Sequence, residues 1–366
     1  MTILLKNARI YDGTANPPFS GDLLLENDRI VRIAPRIDMA ADKAYDLQGK
    51  SVAPGFIDSH SHNDWFAIRP NCLPYFEPFI RQGITSFVTG NCGLSAIGFE
   101  KDTPHTGRIG GGLFGYWGQT TGVYPDAQSL FEAVSQNVPC NIAVLAGHCS
   151  ARASVAGGEN RKLTPEEEQR MLDILEENLK QGAAGISLGL MYSPGLYADE
   201  EELKKVAALC VKYDRPLTVH PRAESKVSMA YPQLLGRSHL LRALDELERI
   251  AKGTNLKLQY SHFIFVGRNT FADKPKAMAI IQRMRREGVQ VQFDIYHETK
   301  GVSVITVILP AWYQGMSEEE RRKPLNQLKL RLLVRGAQGR RGTCGLAVEL
   351  PPLGDRPRGS PVWYTE

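Results

Sequence analysis

The run Asp58-Ser59-His60-Ser61-His62 sets two imidazoles one residue apart. In an extended strand, residues i and i+2 face the same side. His60 and His62 can therefore hold one ion together, and neutral imidazole suits zinc and its neighbours. A lone H-x-H is as often structural. Three further residues change its weight: Cys92 in Gly90-Asn91-Cys92-Gly93, His220 in Thr218-Val219-His220, and His262 in Gln259-Tyr260-Ser261-His262. Each alone has a plainer reading. A strand-end histidine is commonly a hydrogen-bonded structural residue, and a single cysteine is commonly a small buried hydrophobe. Gathered on one rim, these side chains make one or two metal ions the economical explanation. His148, in Gly147-His148-Cys149, can bind or orient. His105, His239 and His297 lack such a setting and are expected at the surface, at hinges or in support.

That argument requires a fold that brings the strand ends together. Short apolar runs at 51–58, 85–90, 141–147, 185–188, 216–220, 256–262 and 289–296 alternate with amphipathic helical stretches. The clearest helix covers 165–181: Thr164 can cap it, Pro165 suits its first position, Glu167 completes a capping box and Gly182 stops it. The stretches 199–213 and 240–252 repeat the pattern. Alternating strand and helix implies parallel strands with right-handed crossovers. Seven strands in series favour a TIM-like (β/α)8 barrel, with about seven βα units present, over an open doubly wound sheet. In a barrel the strand ends converge on one face, where active sites sit. The expected organisation is a small β-sandwich part over 1–53, an incomplete α/β barrel over 54–324, and an atypical tail over 325–366. In that tail the periodicity breaks down into Arg, Gly and Pro, a composition that favours disorder.

Of the 366 residues, 42% are hydrophobic and 23% charged, an ordinary globular mixture. Forty-four basic against 40 acidic residues leave a formal charge of +4, which gives no general case for nucleic acid or membrane. The six cysteines show no disulfide framework and no C-x-x-C. The N-terminus lacks signal-peptide features, and no apolar run reaches spanning length. A reduced, cytoplasmic protein is expected.

Pro54-Gly55-Phe56-Ile57-Asp58-Ser59-His60-Ser61-His62, after its β-rich prelude, resembles the opening of the amidohydrolase superfamily. Asn91-Cys92-Gly93, Gly147-His148, Ser187-Leu188-Gly189-Leu190-Met191-Tyr192-Ser193-Pro194-Gly195 and Ile308-Leu309-Pro310-Ala311-Trp312 resemble the N-acyl-D-amino-acid deacylase branch. The likeness runs over roughly residues 1 to 315. Many superfamily members bridge two metals with a carboxylated lysine on the fourth strand. Gly185-Ile186-Ser187-Leu188-Gly189 offers no lysine, and in the D-aminoacylases a cysteine takes that place, which Cys92 matches. The resemblance implies a tight zinc site of Cys92, His220 and His262, with His60 and His62 at a second, weaker position. Asp64, His148, Arg222 and Glu224 are expected to surround these ligands. It implies hydrolysis of an N-acyl-D-amino acid, a small-molecule substrate, by metal-activated water, with Tyr296 supporting the oxyanion. A buried strand tyrosine is the plainer reading of Tyr296.

Two departures follow. Relatives read Tyr-Pro-Tyr where this chain has Tyr296-His297-Glu298, which bears on substrate preference. The family's general-base Asp, in a Ser-Asp-Gly setting, has no counterpart; Asp355, in Gly354-Asp355-Arg356, is a poor substitute. The substrate-carboxylate arginine likewise falls outside the matched stretch. An out-of-frame or truncated ending is the expectation. A hydantoinase-like or dihydroorotase-like cyclic-amide hydrolase and an inactive metal-binding remnant are the alternatives. Oligomeric state is not legible.

Overall fold

The structure is a computed structural model that describes residues 1–109, 124–135, 137–231, 236–297 and 305–338. The chain divides into two compact units: Met1–Ile57 with Arg81–Thr85, and Asp58–Ile80 with the described residues from Ser86 onward.

The first unit is built on strands β1 (Thr2–Ile10), β2 (Phe19–Glu26), β3 (Arg29–Ala34), β4 (Lys43–Asp46) and β5 (Ser51–Val52), in the order β3-β2-β1-β4, with β5 also on β1. Asn27, at φ 53°, turns β2 back into β3. Leu4, Leu24 and Ile37 form one small core and Ala8, Ile10 and Leu23 another. Between them the β1–β2 register slips after Leu5. Buried Asp22 answers the slip by accepting from the amides of Asn7 and Ile37 at 2.9 and 2.8 Å.

The second sheet has seven strands: β6 (Phe56–Asp58), β7 (Ile84–Thr89), β8 (Asn141–Gly147), β9 (Gly185–Gly189), β10 (Leu217–His220), β11 (Lys257–Tyr260) and β12 (Gln290–Phe293). Their spatial order is their chain order. Every ladder from β7–β8 to β11–β12 is parallel. A doubly wound sheet reverses its order at a switch point; this one never does, so it curls in the sense of a barrel. Helices Pro165–Lys180, Glu200–Lys212, His239–Ala251 and Lys274–Arg286 cover it. Met171, Leu175, Leu203, Val206, Leu240, Leu244, Ile280 and Ile281 are buried on these helices, as are Val144, Leu145, Ile186, Leu188, Leu217 and Val219 on the strands. No helix among the described residues is long and apolar enough to cross a membrane.

Three expectations are modified. The run at 51–58 is not one strand: Ser51–Val52 pairs with β1, and Phe56–Asp58 joins the seven-stranded sheet. Ala53-Pro54-Gly55 separates them, and Pro54 has no amide to continue a ladder. His148 does not end a strand but opens the helix His148–Ala156, all of whose residues are buried. The sequence from Pro324 to Gln338 forms a helix rather than opening an irregular tail. Leucines at 325, 328 and 332 carry a helical spacing that the later Arg/Gly/Pro run obscures. Residues 339–366, with Cys344 and Asp355, lie outside the described residues.

The helix Pro165–Lys180 forms as its ends dictate. The Thr164 hydroxyl accepts from the Glu167 amide at 3.2 Å, and the Glu167 carboxylate accepts from the Thr164 amide at 2.8 Å. Gly182 leaves at φ 102°.

Candidate metal centre

Cys92 lies three residues beyond β7, in a turn that the sequence makes almost obligatory. Gly90, Cys92 and Gly93 all have left-handed backbones, at φ 77°, 57° and 73°. A Cβ on Gly90 would stand 2.4 Å from the Leu145 carbonyl oxygen, and one on Gly93 2.6 Å from the Gly189 nitrogen. Glycine is required at both places by conformation and by space. Between them Cys92 pays the left-handed cost that a β-carbon incurs. The turn is pinned by the Tyr192 hydroxyl, which donates to the Cys92 carbonyl at 2.6 Å, and by the Gly93 amide, which donates to Ser187 Oγ at 3.0 Å.

The thiol that this turn presents meets histidines from other strand ends. Cys92 Sγ is 3.4 Å from His60 Nε2 and 3.7 Å from His262 Nε2. The His220 ring lies 4.4 Å from that of His262. Two sets of donors have their ligand atoms within 4.8 Å of one another: His60, Cys92 and His262, and His220, Glu224 and His262. His262 belongs to both. It too has a left-handed backbone, at φ 38°, just past β11. Strain of this kind persists where the surroundings over-determine it, and it concentrates at functional sites.

Two of the histidines at the thiol have a carboxylate behind them. His262 Nδ1 is hydrogen-bonded to buried Glu224, and His60 Nδ1 faces both oxygens of Asp294 at 3.3 and 3.4 Å. The Nε2 atoms therefore point at Cys92. Burial opposes the Cys92 thiolate, but the charge of His60 and the contacts of His220, His262 and His60 outweigh it. The thiol is held well below its ordinary range. Burial also opposes protonated His60, yet Cys92 and Asp294 raise it to about 9. His262 is pushed up to about 12, against burial, chiefly by Glu224 and Cys92. A buried thiolate between imidazolium rings is a set of soft donors whose protons a cation can replace.

A divalent cation fits these residues. Thiolate and imidazole are the ligands zinc prefers. Both ring nitrogens of His220 are shielded from solvent and make no hydrogen bond of ordinary geometry. Buried polar atoms are rarely left so, and an ion is one standard reason.

Of the residues singled out from sequence, Cys92, His60, His220, His262 and Glu224 come together. His62 stands beside His60, ring centres 5.8 Å apart, but belongs to neither donor set. Tyr296 is exposed, its ring 5.5 Å from that of His262. The buried strand tyrosine is thus not what is observed. Asp64 is fully buried, accepting from Thr89 Oγ1 at 2.5 Å and the Ala96 amide at 2.8 Å, and belongs to neither donor set. Arg222 turns away: it pairs with Glu246 at 2.9 Å and donates to the carbonyls of Leu196 and Ala198. His148 is buried against Glu202 at 2.8 Å, which also takes Arg152 at 3.0 Å. Sequence reading missed Asp294 and gave Tyr192 no role. Asp294 is the first residue past β12, the seventh strand of the sheet, so the strand-end argument that singled out the histidines also reaches it.

Residues 43–290 match the pattern of the amidohydrolase family, which is more than half of the chain. The chain belongs to the amidohydrolase family. Within that family it is similar to a D-aminoacylase of Alcaligenes xylosoxydans xylosoxydans, 31% identical over 83% of this chain and 58% of the relative. It is also similar to an N-acyl-D-glutamate deacylase of the same organism, 29% identical over 81% of this chain and 57% of that one. Among solved structures, the zinc and phosphonate complex of the Bordetella bronchiseptica N-acyl-D-glutamate deacylase superposes with a TM-score of 0.70 at 30% identity, over 83% of this chain and 60% of that one. A D-aminoacylase structure concerned with a binuclear metal centre gives 0.70 at 27%, over 82% and 59%. These relatives lie in the D-aminoacylase branch of the amidohydrolase family. The chain spans somewhat under three fifths of the length of the curated relatives named.

Proposed function

We propose that this chain hydrolyses the amide bond of N-acyl-D-amino acids, releasing a carboxylate and a D-amino acid, with zinc held by Cys92, His220 and His262. His60 and His62 serve a second, weaker position. The observation that carries the reading is the Cys92 thiolate, 3.4 and 3.7 Å from two imidazoles at the strand ends of an amidohydrolase sheet. The named activities of the similar proteins supply the substrate class.

A bound divalent cation would lower the pKa of water and polarise the scissile carbonyl. The chain's own residues hold the donors and shape the site around them. Glu224 and Asp294 fix two imidazoles from behind. Tyr192 and Ser187 lock the turn that offers the thiolate. Tyr296, exposed beside His262, can donate its hydroxyl to the oxygen on which charge develops. Asp64, Arg222 and His148, each bonded to neighbouring protein groups, keep the strand ends in place.

The experiment is amine release from N-acyl-D-amino acids, including acidic ones, by zinc-loaded protein, beside the L-enantiomers and a set of hydantoins and dihydropyrimidines. Turnover confined to the D-series supports the reading. Opening of the cyclic amides without amine release from the D-series contradicts it.

A further inference from the structure

We infer that Asp294 is a positioning residue for the zinc centre, a single carboxylate that sets the tautomer of His60 and the backbone turn of His262 together. The inference rests on the metal reading above. It concerns a residue that does not itself face the thiol.

The carboxylate has three neighbours. His60 Nδ1 lies 3.3 Å from one oxygen and 3.4 Å from the other. The His262 amide donates to Oδ1 at 2.6 Å. Gln259 Nε2 donates to Oδ2 at 2.8 Å. The backbone of Asp294 takes part as well, since its carbonyl accepts from the Phe263 amide at 2.7 Å. Asp294 thus grips both amides that flank the left-handed His262. Its location explains how it can do so: it is the first residue past β12, and β12 pairs in register with β11, the strand that His262 follows.

Two consequences follow for the donors. An ionised carboxylate only accepts, so the His60 nitrogen facing it must carry the proton. In neutral His60 that leaves the lone pair on Nε2, the atom 3.4 Å from Cys92 Sγ. Carboxylates behind metal-bound histidines act in this way, and removing them typically costs ~10- to 100-fold in metal affinity. The grip on the two amides also holds His262 at φ 38°, the conformation in which its Nε2 comes within 3.7 Å of the same thiol. One side chain therefore registers two donors that are 202 residues apart in the chain, His60 and His262. Glu224 supports His262 through its Nδ1.

The test uses the full chain, with zinc as the probe, and compares wild type with Asp294→Asn and Asp294→Ala. Asparagine keeps one oxygen for the His262 amide but replaces the other by an NH2 that only donates. Gln259 can turn its own amide to meet it. The readouts are zinc affinity by chelator competition, the melting temperature without metal, and the 15N histidine spectrum of the zinc-loaded protein, which reports the tautomer. For Asp294→Asn we expect a zinc affinity ~10- to 100-fold lower, a nearly unchanged melting temperature, and a His60 signal no longer confined to the Nδ1–H form. Asp294→Ala should lose at least as much affinity and melt lower. An unchanged affinity or an unchanged His60 signal in Asp294→Asn overturns the inference and leaves Asp294 as a turn-holding group only. A wild-type protein that takes up no zinc overturns the metal reading beneath it, and the inference falls with it.

Discussion

Cys92 Sγ stands 3.4 Å from His60 Nε2, although the two residues belong to different strand ends and come from different turns. Behind that contact is a chain of dependence. Gly90 and Gly93 permit the turn, the turn aims the thiol, and the histidines just past β6, at the end of β10 and just past β11 meet it.

The thiol is the group on which the site depends most. Cys92→Ala removes the donor that reaches both His60 and His262. Cys210→Ala is the control, since Cys210 is buried on the helix Glu200–Lys212 and belongs to neither donor set. We expect Cys92→Ala to lose most of its zinc and Cys210→Ala to keep a wild-type content in its folded fraction. Equal zinc in the two proteins would return Cys92 to the plain reading of a buried small side chain.

Zinc binding should depend on pH in a direction set by the raised histidines. Metal needs neutral imidazole, and protons compete for it. Here His60 is raised to about 9 and His262 further. Below those values each must surrender its proton when zinc binds. Affinity should therefore climb with pH through neutrality and continue toward about 9. It should fall steadily as the solution is acidified. Isothermal titration in buffers of different ionisation enthalpy measures the protons released. A plateau already reached at the ordinary imidazole range, with no proton release at pH 7.5, would contradict the thiolate–imidazolium arrangement.

The group formed by His148, Glu202 and Arg152 tests the division between site and scaffold. All three are buried, with Glu202 held at 2.8 Å by His148 and at 3.0 Å by Arg152. Burial opposes the Glu202 carboxylate, but His148 and Arg152 lower its pKa overall. A depressed carboxylate stabilises the fold above its unfolded pKa, and that contribution is lost as pH falls through the folded value. Glu202→Gln leaves Arg152 buried without its counter-charge, which costs about 3–5 kcal/mol. Denaturant unfolding should show a loss of that size, with zinc per folded chain unchanged. A loss below about 1 kcal/mol would mean that the pair is not the scaffold element described.

Local stability has a simpler test in the capping box. Thr164→Ala removes the acceptor for the Glu167 amide, and loss of such a cap costs about 1 kcal/mol. The melting temperature should drop by a few degrees with zinc content unaffected. No change would mean that the helix start is held by other contacts.

Much of this was legible in the sequence, for a physical reason. Strand and helix periodicities come from burial, so β8, β9 and β10 and the helices from Pro165, Glu200 and His239 lie close to where apolar spacing and caps put them. The candidate ligands were legible because a barrel-like sheet sends strand ends to one rim. What sequence hides is where a side chain goes once it arrives. Arg222 and Glu224 stand two residues apart just past β10, yet Arg222 turns to Glu246 while Glu224 reaches His262. His148 looked like a strand-end candidate, but the chain coils into a helix at that residue and buries it against Glu202. Pro54, read as part of a strand, breaks it. Asp294 carried no motif of its own, and its importance lies wholly in being bonded to two residues that did.

The central claim is a zinc site at Cys92, and metal content tests it most directly. Protein purified without added metal, folded by circular dichroism, should contain about one zinc or more per chain by elemental analysis, released by a chelator and recovered on adding zinc back. Less than about a tenth of an equivalent of any transition metal, with no uptake when zinc is supplied, would contradict the account.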